Sequence, residues 1–231
     1  MNSNDWNSIG WLEGARRLVA WIDSLPLESR IMLLIRHSHR EAIEDHDAQL
    51  STELTDLGRR MSFEMGKRLP VDRKSLFFFS FVNRCYQTAD EMAKGIRETG
   101  GDVIDLNPLP LLATPDIADN NVWEELQPDG RNIAEFVNRW ADGRFGDMIE
   151  GFGEYGARLL EATIGRLSEA DDGVIHIHVT HDLALMAAKR TLLTRPVAMS
   201  DRDPFLGGLG VVIGDDRKMF LSSSGEEHII P

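Results

Sequence analysis

The chain has 231 residues, of which 42% are hydrophobic and 27% are charged, a balance that suits one globular domain with a sizeable core. Its formal net charge of −13 argues against a nucleic acid or an anionic membrane surface as a partner. A single cysteine excludes an intrachain disulfide, and we find no signal peptide and no apolar run long enough to cross a bilayer, so we expect a cytoplasmic protein.

The first predicted element is an amphipathic helix. Apolar residues recur at helical spacing over residues 11–24, from Trp11 to Ile22. We expect this helix to belong to an N-terminal extension of about residues 1–28 that packs on the rest of a single domain spanning residues 1–231. A docking surface for a partner is the alternative interpretation of the same apolar stripe.

A buried strand and a group of basic residues come next. The run from Ile31 to Ile35 is entirely apolar, which is typical of a strand covered on both faces of a sheet. Arg36 and His37 follow it directly, and Arg40 lies close behind. Ligands of α/β sheets bind at the carboxyl ends of strands, and buried guanidinium groups need an anionic partner. This position therefore predicts an anion site, with phosphate as the first candidate and salt-bridged surface arginines as the alternative.

The same arrangement of strand, polar residues and helix occurs a second time. A helix is predicted over residues 56–69, and an apolar strand over 76–79 then ends at Ser80. Arg84 stands at the start of a further helix, predicted over 85–99. We expect Arg84 to lie at the same edge of the sheet as the basic residues after the first strand.

The middle of the chain predicts a cap over that edge. A strand is predicted over residues 102–106, and the segment of about 107–130 then mixes Pro, Asp and Asn. This composition is typical of loops, and loops at the edge of a sheet often carry function. Helices are predicted over 132–141 and 152–169.

A third strand-to-helix unit occurs late in the chain. Residues 174–180 read as a strand, and His181 and Asp182 follow it at the start of a helix. Arg, His or Asp thus follows each of three separate strands, which favours a shared site over coincidence.

The C-terminal residues predict a hairpin, with strands over 209–213 and 218–221 and a turn over 214–216. Before it, strands and helices alternate along the chain, which predicts an α/β fold. We expect a three-layer α/β/α sandwich with a mostly parallel central sheet.

Four motifs occur in the order found in the histidine phosphatase superfamily, and the chain resembles that family, which has the phosphoglycerate mutase-like fold. The motifs are, in chain order, Arg36-His37-Ser38, Leu54-Thr55-Asp56-Leu57-Gly58, the set Ser80, Arg84, Gln87, Thr88 and Ala89, and the late His181. Two further features resemble the acid phosphatase branch of the family, namely the pair His181-Asp182 and the second arginine, Arg40.

The resemblance implies a phosphatase that needs no metal and no other cofactor. Neutral His37 would attack phosphorus and form a phosphohistidine, which water then hydrolyses. Arg36, Arg40, Arg84 and a protonated His181 would bind the phosphoryl oxygens and stabilise the charge that develops during transfer.

The leaving group also needs a proton, and the resemblance offers two sources for it. The acid phosphatase and phytase branch carries His-Asp at the late histidine, which favours Asp182 as the donor. The other branch takes its acid from the central insertion, where four carboxylates compete with Asp182: Asp116, Asp119, Glu124 and Glu125. Ser38 stands where the family has glycine, and we expect this small residue to be tolerated.

Three other functions remain open. The pairs His37-x-His39 and His176-x-His178 resemble the paired histidines of metal-dependent hydrolases, although Arg36 beside the first pair would repel a cation. The chain could also be a phosphate-binding pseudoenzyme without turnover, or a phosphomutase of the same superfamily. We expect a phosphorylated small molecule or a phosphoprotein as the substrate, and the sequence leaves the oligomeric state unknown.

Overall fold

A computed structural model describes residues 4–42, 51–214 and 217–230, and in it a central sheet carries helices on both faces. The strands are β1 (Arg30–Arg36), β2 (Ser75–Phe79), β3 (Val103–Pro108), β4 (Ile175–Thr180), β5 (Gly208–Ile213), β6 (Arg217–Leu221) and β7 (Glu226–Ile229). The α-helices are α1 (Asn4–Ser8), α2 (Glu13–Asp23), α3 (Asp56–Gly66), α4 (Asn83–Glu98), α5 (Ile133–Ala141), α6 (Phe152–Leu160) and α7 (Asp182–Leu193).

The sheet has the strand order β3-β2-β4-β1-β5-β6-β7 and is parallel on one side of β1 only. β1 pairs in parallel with β4, so that Ile31 lies opposite Ile175, and it pairs antiparallel with β5. Among the described strands, β1 to β4 and β6 run in one direction while β5 and β7 run in the other. The carboxyl ends of β1, β2 and β4 therefore meet at one edge of the sheet.

Side chains of β1 alternate between the two layers of helices. Ile31, Leu33 and Ile35 join the apolar core formed with α2, α3 and α4, whereas Met32 and Leu34 join the core formed with α5, α6 and α7. All five are essentially inaccessible to solvent, and burial of each contributes about 1.5–3 kcal/mol. The predicted α/β/α sandwich is confirmed, with β1 at its centre.

The apolar stripe predicted over residues 11–24 packs against the sheet. Trp21 of α2 stacks on Phe220 of β6 with ring centroids 5.3 Å apart, and its indole Nε1 donates to Glu227 Oε1 at 2.8 Å. Arg17 Nη1 donates to the backbone carbonyl of Ser222 at 3.1 Å. Core packing thus accounts for this stripe, and the division of the chain into one domain with an extension and a cap stays a prediction.

The elements differ from the sequence pattern most at a late helix and at the last strand. The helix predicted over 152–169 leaves the α form after Leu160 and continues as a π-helical turn over Glu161–Gly165. The edge strand β7 has no apolar alternation, since three of its four residues are Glu, Glu and His, and we did not predict it. Of the turn predicted over 214–216, Asp215 and Asp216 lie outside the described residues. No helix in the described ranges is both long and apolar enough to span a membrane.

The second His-x-His pair lies within β4, on the face that packs against α5 to α7. His178 stacks on Phe78 with ring centroids 4.8 Å apart, and His176 meets the same ring edge-on at 5.7 Å. Burial lowers the pKa of His178 to about 3 and that of His176 to about 4, so both rings stay neutral in the folded protein.

These two histidines predict a fold that loses stability in mild acid. The unfolded chain takes up protons at both rings below about pH 6.5, whereas the folded chain does so only near pH 4 and then pH 3, so stability is full above pH 6.5 and falls with decreasing pH. We expect each ring to remove about 2 kcal/mol of unfolding free energy between pH 7.5 and pH 5.

Urea unfolding at the two pH values measures this loss. The variant His178→Leu is expected to show a smaller loss than the wild type, and His228→Leu, on the edge strand β7, is the matched control with an unchanged loss. Equal pH dependence in His178→Leu and the wild type would contradict the prediction.

Candidate active site

The three strand ends that the sequence singles out converge at one edge of the sheet. Arg36 and His37 extend from β1, and Arg84 lies in the first turn of α4, directly after the loop that follows β2. His181 directly follows β4, and Asp182 is the first residue of α7. Because β1, β2 and β4 are parallel neighbours, their carboxyl ends bring these side chains into direct contact, as described next.

The ring of His37 is held in one tautomer. Its Nδ1 lies 2.8 Å from the carbonyl oxygen of Ser38, to which it donates, and Arg84 Nε donates to its Nε2 at 3.1 Å. Burial lowers the pKa of His37 well below 6.5, and Arg84, His181 and Arg36 lower it further. His37 is therefore neutral, with its proton on Nδ1 and a lone pair on Nε2.

His181 faces the same pocket with the opposite tautomer. Its Nδ1 accepts from Arg84 Nη2 at 3.2 Å, and its Nε2 donates to Ser80 Oγ at 2.8 Å. Burial lowers the pKa of His181 well below 6.5, and Arg84, Arg36 and Arg40 lower it further. With these protein neighbours His181 is neutral, whereas an anion beside it would favour the second proton, so a protonated His181 against bound phosphate stays a prediction.

One guanidinium thus bridges the two histidines. Arg84 is only 7% exposed, and burial lowers its pKa to about 10, with Arg40 and Arg36 adding to the effect while Cys85 and Asp182 oppose it. A pKa of about 10 leaves Arg84 charged at neutral pH. Its charge adds to burial in keeping both neighbouring rings neutral.

Asp182 is ion-paired through both carboxylate oxygens. Its Oδ1 lies 2.7 Å from Arg36 Nε, and its Oδ2 accepts from Arg202 Nε at 3.0 Å and from Arg202 Nη2 at 2.6 Å. Asp182 is also the first residue of α7, where the helix dipole favours negative charge. Through this ion pair Asp182 holds Arg36 in position. The role of Asp182 as a proton donor stays a prediction.

Asp129 and Arg202 also belong to the pocket, and the sequence patterns did not predict them. Arg40 Nη2 lies 2.6 Å from Asp129 Oδ1, and Arg202 Nη2 donates to the backbone carbonyl of Asp129 at 2.7 Å. Arg202 lies in a loop without strand or helix periodicity, and Asp129 precedes a glycine in a pattern that reads as a turn. Nothing in the local sequence connects either residue to the other motifs.

Charges around the pocket do not cancel. The cluster contains four guanidiniums and two carboxylates: Arg36, Arg40, Arg84, Arg202, Asp129 and Asp182. Two positive charges therefore remain in excess, which would balance the two negative charges of a phosphate monoester dianion. This local excess lies within a chain of net charge −13.

A fully buried ion pair supports the loop that carries Arg202. Lys189 Nζ of α7 pairs with the carboxylate of Asp203, whose Oδ1 also accepts from Ser222 Oγ at 2.9 Å. The backbone carbonyl of Asp203 accepts from Arg36 Nη1 at 3.1 Å, and the ring of Phe205 lies 4.4 Å below the Arg36 guanidinium. Arg36 is thus fixed from two sides.

Ser38 is accommodated at the position of the family glycine. Its Oγ donates to the carbonyl of Gly58 at 2.8 Å, and its backbone N–H donates to Thr88 Oγ1 at 3.0 Å. The side chain therefore ties the segment after β1 to the first turn of α3. A hydrogen bond of this kind contributes about 1 kcal/mol.

The four carboxylates that compete with Asp182 are all exposed. Three of them have partners outside the cluster: Asp116 pairs with Arg158, Glu125 pairs with Arg139, and Asp119 caps a short helical turn.

The first His-x-His pair is divided between two environments. His39 Nδ1 lies 2.8 Å from Thr55 Oγ1, and its ring stacks on Trp11 with centroids 5.7 Å apart, whereas His37 faces Arg84. Within the described ranges, no group of three or more His, Cys, Asp or Glu side chains could hold a metal ion.

Comparison with known proteins gives a family and a fold. The family model described as the histidine phosphatase superfamily (branch 1) matches residues 32–212. A mycobacterial glucosyl-3-phosphoglycerate phosphatase superimposes with a TM-score of 0.52 at 20% identity, over 87% of this chain and 97% of that one. YhfR of Bacillus stearothermophilus superimposes with a TM-score of 0.51 at 19% identity, over 86% and 94% of the two chains. No functionally curated protein matches the sequence significantly.

The close approach of α3 to the segment after β1 predicts that Gly58 cannot be replaced. A Cβ at this position would lie 2.1 Å from the carbonyl oxygen of His39, so the backbone that carries His37 must shift. We expect Gly58→Ala to lower the thermal unfolding midpoint and to weaken binding of inorganic phosphate.

Gly153→Ala is the matched control on α6, where no heavy atom lies within 4 Å of the added carbon. That substitution is expected to be neutral or to stabilise the helix by up to about 1 kcal/mol. An unchanged phosphate affinity in Gly58→Ala would contradict the prediction.

Proposed function

The chain belongs to the histidine phosphatase superfamily, and we propose that it is a metal-independent phosphatase that hydrolyses a phosphomonoester through a phosphohistidine on His37. The observation that carries this proposal is the state of the His37 ring. Its Nε2 lone pair points at the guanidinium of Arg84, within a cluster whose excess charge matches a phosphate monoester dianion.

In the first step, the phosphoryl group would occupy the space between the guanidiniums. Arg84 Nε now donates to His37 Nε2, and a phosphoryl oxygen is a stronger acceptor for that N–H because it is charged. Transfer of the donor to the substrate frees the lone pair for in-line attack on phosphorus. Arg36 and Arg40 stabilise the equatorial oxygens as the transition state forms.

The phosphorylated ring carries a positive charge that needs an acceptor on its far side. The carbonyl of Ser38 is already in place, 2.8 Å from Nδ1. It holds the Nδ1 proton throughout, so that His37 leaves as a neutral imidazole when water attacks the phosphohistidine. Neutral His181, beside Arg84, can accept a proton when the phosphoryl dianion is bound and then donates to it.

The charge of the whole chain supports a particular kind of substrate. A body of net charge −13 repels polyanions, whereas a local excess of two positive charges retains one dianion. We infer a phosphorylated small molecule or a phosphoprotein as the substrate, and a cytoplasmic location. The same charge disfavours a nucleic acid or an anionic membrane as a partner.

The proposal predicts that turnover depends on His37 and not on a metal ion. We expect hydrolysis of p-nitrophenyl phosphate to survive EDTA and to vanish in His37→Asn, because no other group supplies the nucleophile. Denaturation of the wild type during turnover should trap a phosphoenzyme that is stable in base and labile in acid. His37→Asn should yield none, with a circular dichroism spectrum equal to that of the wild type.

Loss of the wild-type activity in EDTA would instead favour the metal-dependent hydrolase. Full activity of His37→Asn would exclude the phosphohistidine intermediate.

The lowered pKa of His37 predicts the acid limb of the pH profile. Because burial and the neighbouring cations hold the folded-state pKa well below 6.5, the nucleophile stays neutral through mild acid. We expect that protonation of His37 does not lower kcat/KM for p-nitrophenyl phosphate near pH 6. In Arg84→Gln one of these cations is absent, so the acid limb should move to higher pH and KM should rise. An acid limb that stays in place in Arg84→Gln would contradict this prediction.

A further inference from the structure

Asp129 contacts two arginines of the cluster. Its φ of 60° lies in the left-handed region, which Asp and Asn adopt more readily than other residues with a side chain. Arg40 Nη2 lies 2.6 Å from its Oδ1, and Arg202 Nη2 donates to its carbonyl at 2.7 Å. These contacts hold the carboxylate beside Arg40.

The two aspartates of the cluster differ in how their carboxylates are held. Asp182 is paired through both oxygens, with Arg36 and Arg202, and its side chain is 14% exposed. Asp129 is paired through Oδ1 with Arg40 alone of the four arginines, and its side chain is 34% exposed. Protonation of Asp182 would break contacts to two guanidiniums, while protonation of Asp129 would disturb one.

We propose that Asp129, in the segment of about residues 107–130, is the proton donor to the leaving group, which rests on the phosphohistidine mechanism proposed above. The substrate itself prepares the donor. A phosphoryl dianion takes over the guanidinium of Arg40, so the Asp129 carboxylate loses its cation and gains a doubly negative neighbour. Both changes favour the neutral carboxylic acid, so Asp129 takes up one proton from solvent as the substrate binds.

The protons and bonds balance over the two steps. In the first, the N–P bond to His37 Nε2 forms while the P–O bond to the leaving group breaks, and the proton of Asp129 passes to the departing oxygen. In the second, ionised Asp129 accepts a proton from water as the water oxygen bonds to phosphorus and the N–P bond breaks. The products are an alcohol and inorganic phosphate. When phosphate leaves, Asp129 returns its proton to solvent and pairs with Arg40 again.

The test compares two substrates that differ mainly in the basicity of the leaving group. p-Nitrophenolate leaves without a proton, whereas the more basic phenolate of phenyl phosphate gains from one. We expect Asp129→Asn to lower kcat/KM for phenyl phosphate by about 10²–10⁴ and that for p-nitrophenyl phosphate by less than about tenfold. Asparagine also tolerates the left-handed conformation, so the variant keeps the backbone of the cap.

Two controls separate this role from others. Glu135 is exposed on α5, so Glu135→Gln should leave kcat/KM for both substrates unchanged. Asp182→Asn, which disturbs Arg36, should lower activity on both substrates to a similar extent. Asp129→Gly keeps φ 60° accessible and removes the carboxylate, so it should show the same selective loss on phenyl phosphate.

Equal losses on both substrates in Asp129→Asn, or no loss on either, would overturn the assignment. A selective loss in Asp182→Asn without one in Asp129→Asn would move the donor to Asp182. In both cases His37→Asn would remain inactive and the phosphoenzyme would still be trapped, so the proposed function would stand while this inference fails.

Discussion

The pocket depends on the ion pair between Arg36 and Asp182. Arg36 ends the central strand and Asp182 begins α7, so this one contact fixes two elements that are far apart along the chain. Arg202 extends the pair to the loop before β5 and, through the carbonyl of Asp129, to the segment between β3 and α5. Without the carboxylate between them, Arg36 and Arg202 would repel each other in a buried setting, where the cost of unpaired charge is high.

This network also indicates how a strongly acidic chain would bind an anion in the proposed reaction. The guanidiniums are only partly neutralised by the two aspartates. In the proposed phosphatase, a small dianion that reaches the pocket would meet this local positive charge, while an extended polyanion would also meet the negative charge of the rest of the chain.

The sequence predicts most of the fold and the centre of the site, because both are encoded locally. The apolar run of β1 is followed within a few residues by its polar residues, and the same holds for the strand of 174–180. Arg202, Asp129 and the edge strand β7 are not, since each acquires its role only from partners brought near by the folded chain. The neutral state of His181 in the pocket without a ligand is not visible locally either, since it depends on burial and on three arginines that lie on other segments. The fold is shared with structures at 20% identity or less, so it does not by itself assign a substrate.

The central position of β1 has a consequence for how the protein is made. Both partners of this strand, β4 and β5, are encoded near the other end of the chain: Ile31 pairs with Ile175 of β4 and with Val212 of β5. On the ribosome, an entirely apolar strand would therefore exist with two open edges until most of the polypeptide has been synthesised. Non-local pairing of this kind slows folding and exposes aggregation-prone edges. The nascent chain should thus depend on chaperones far more than the finished enzyme does.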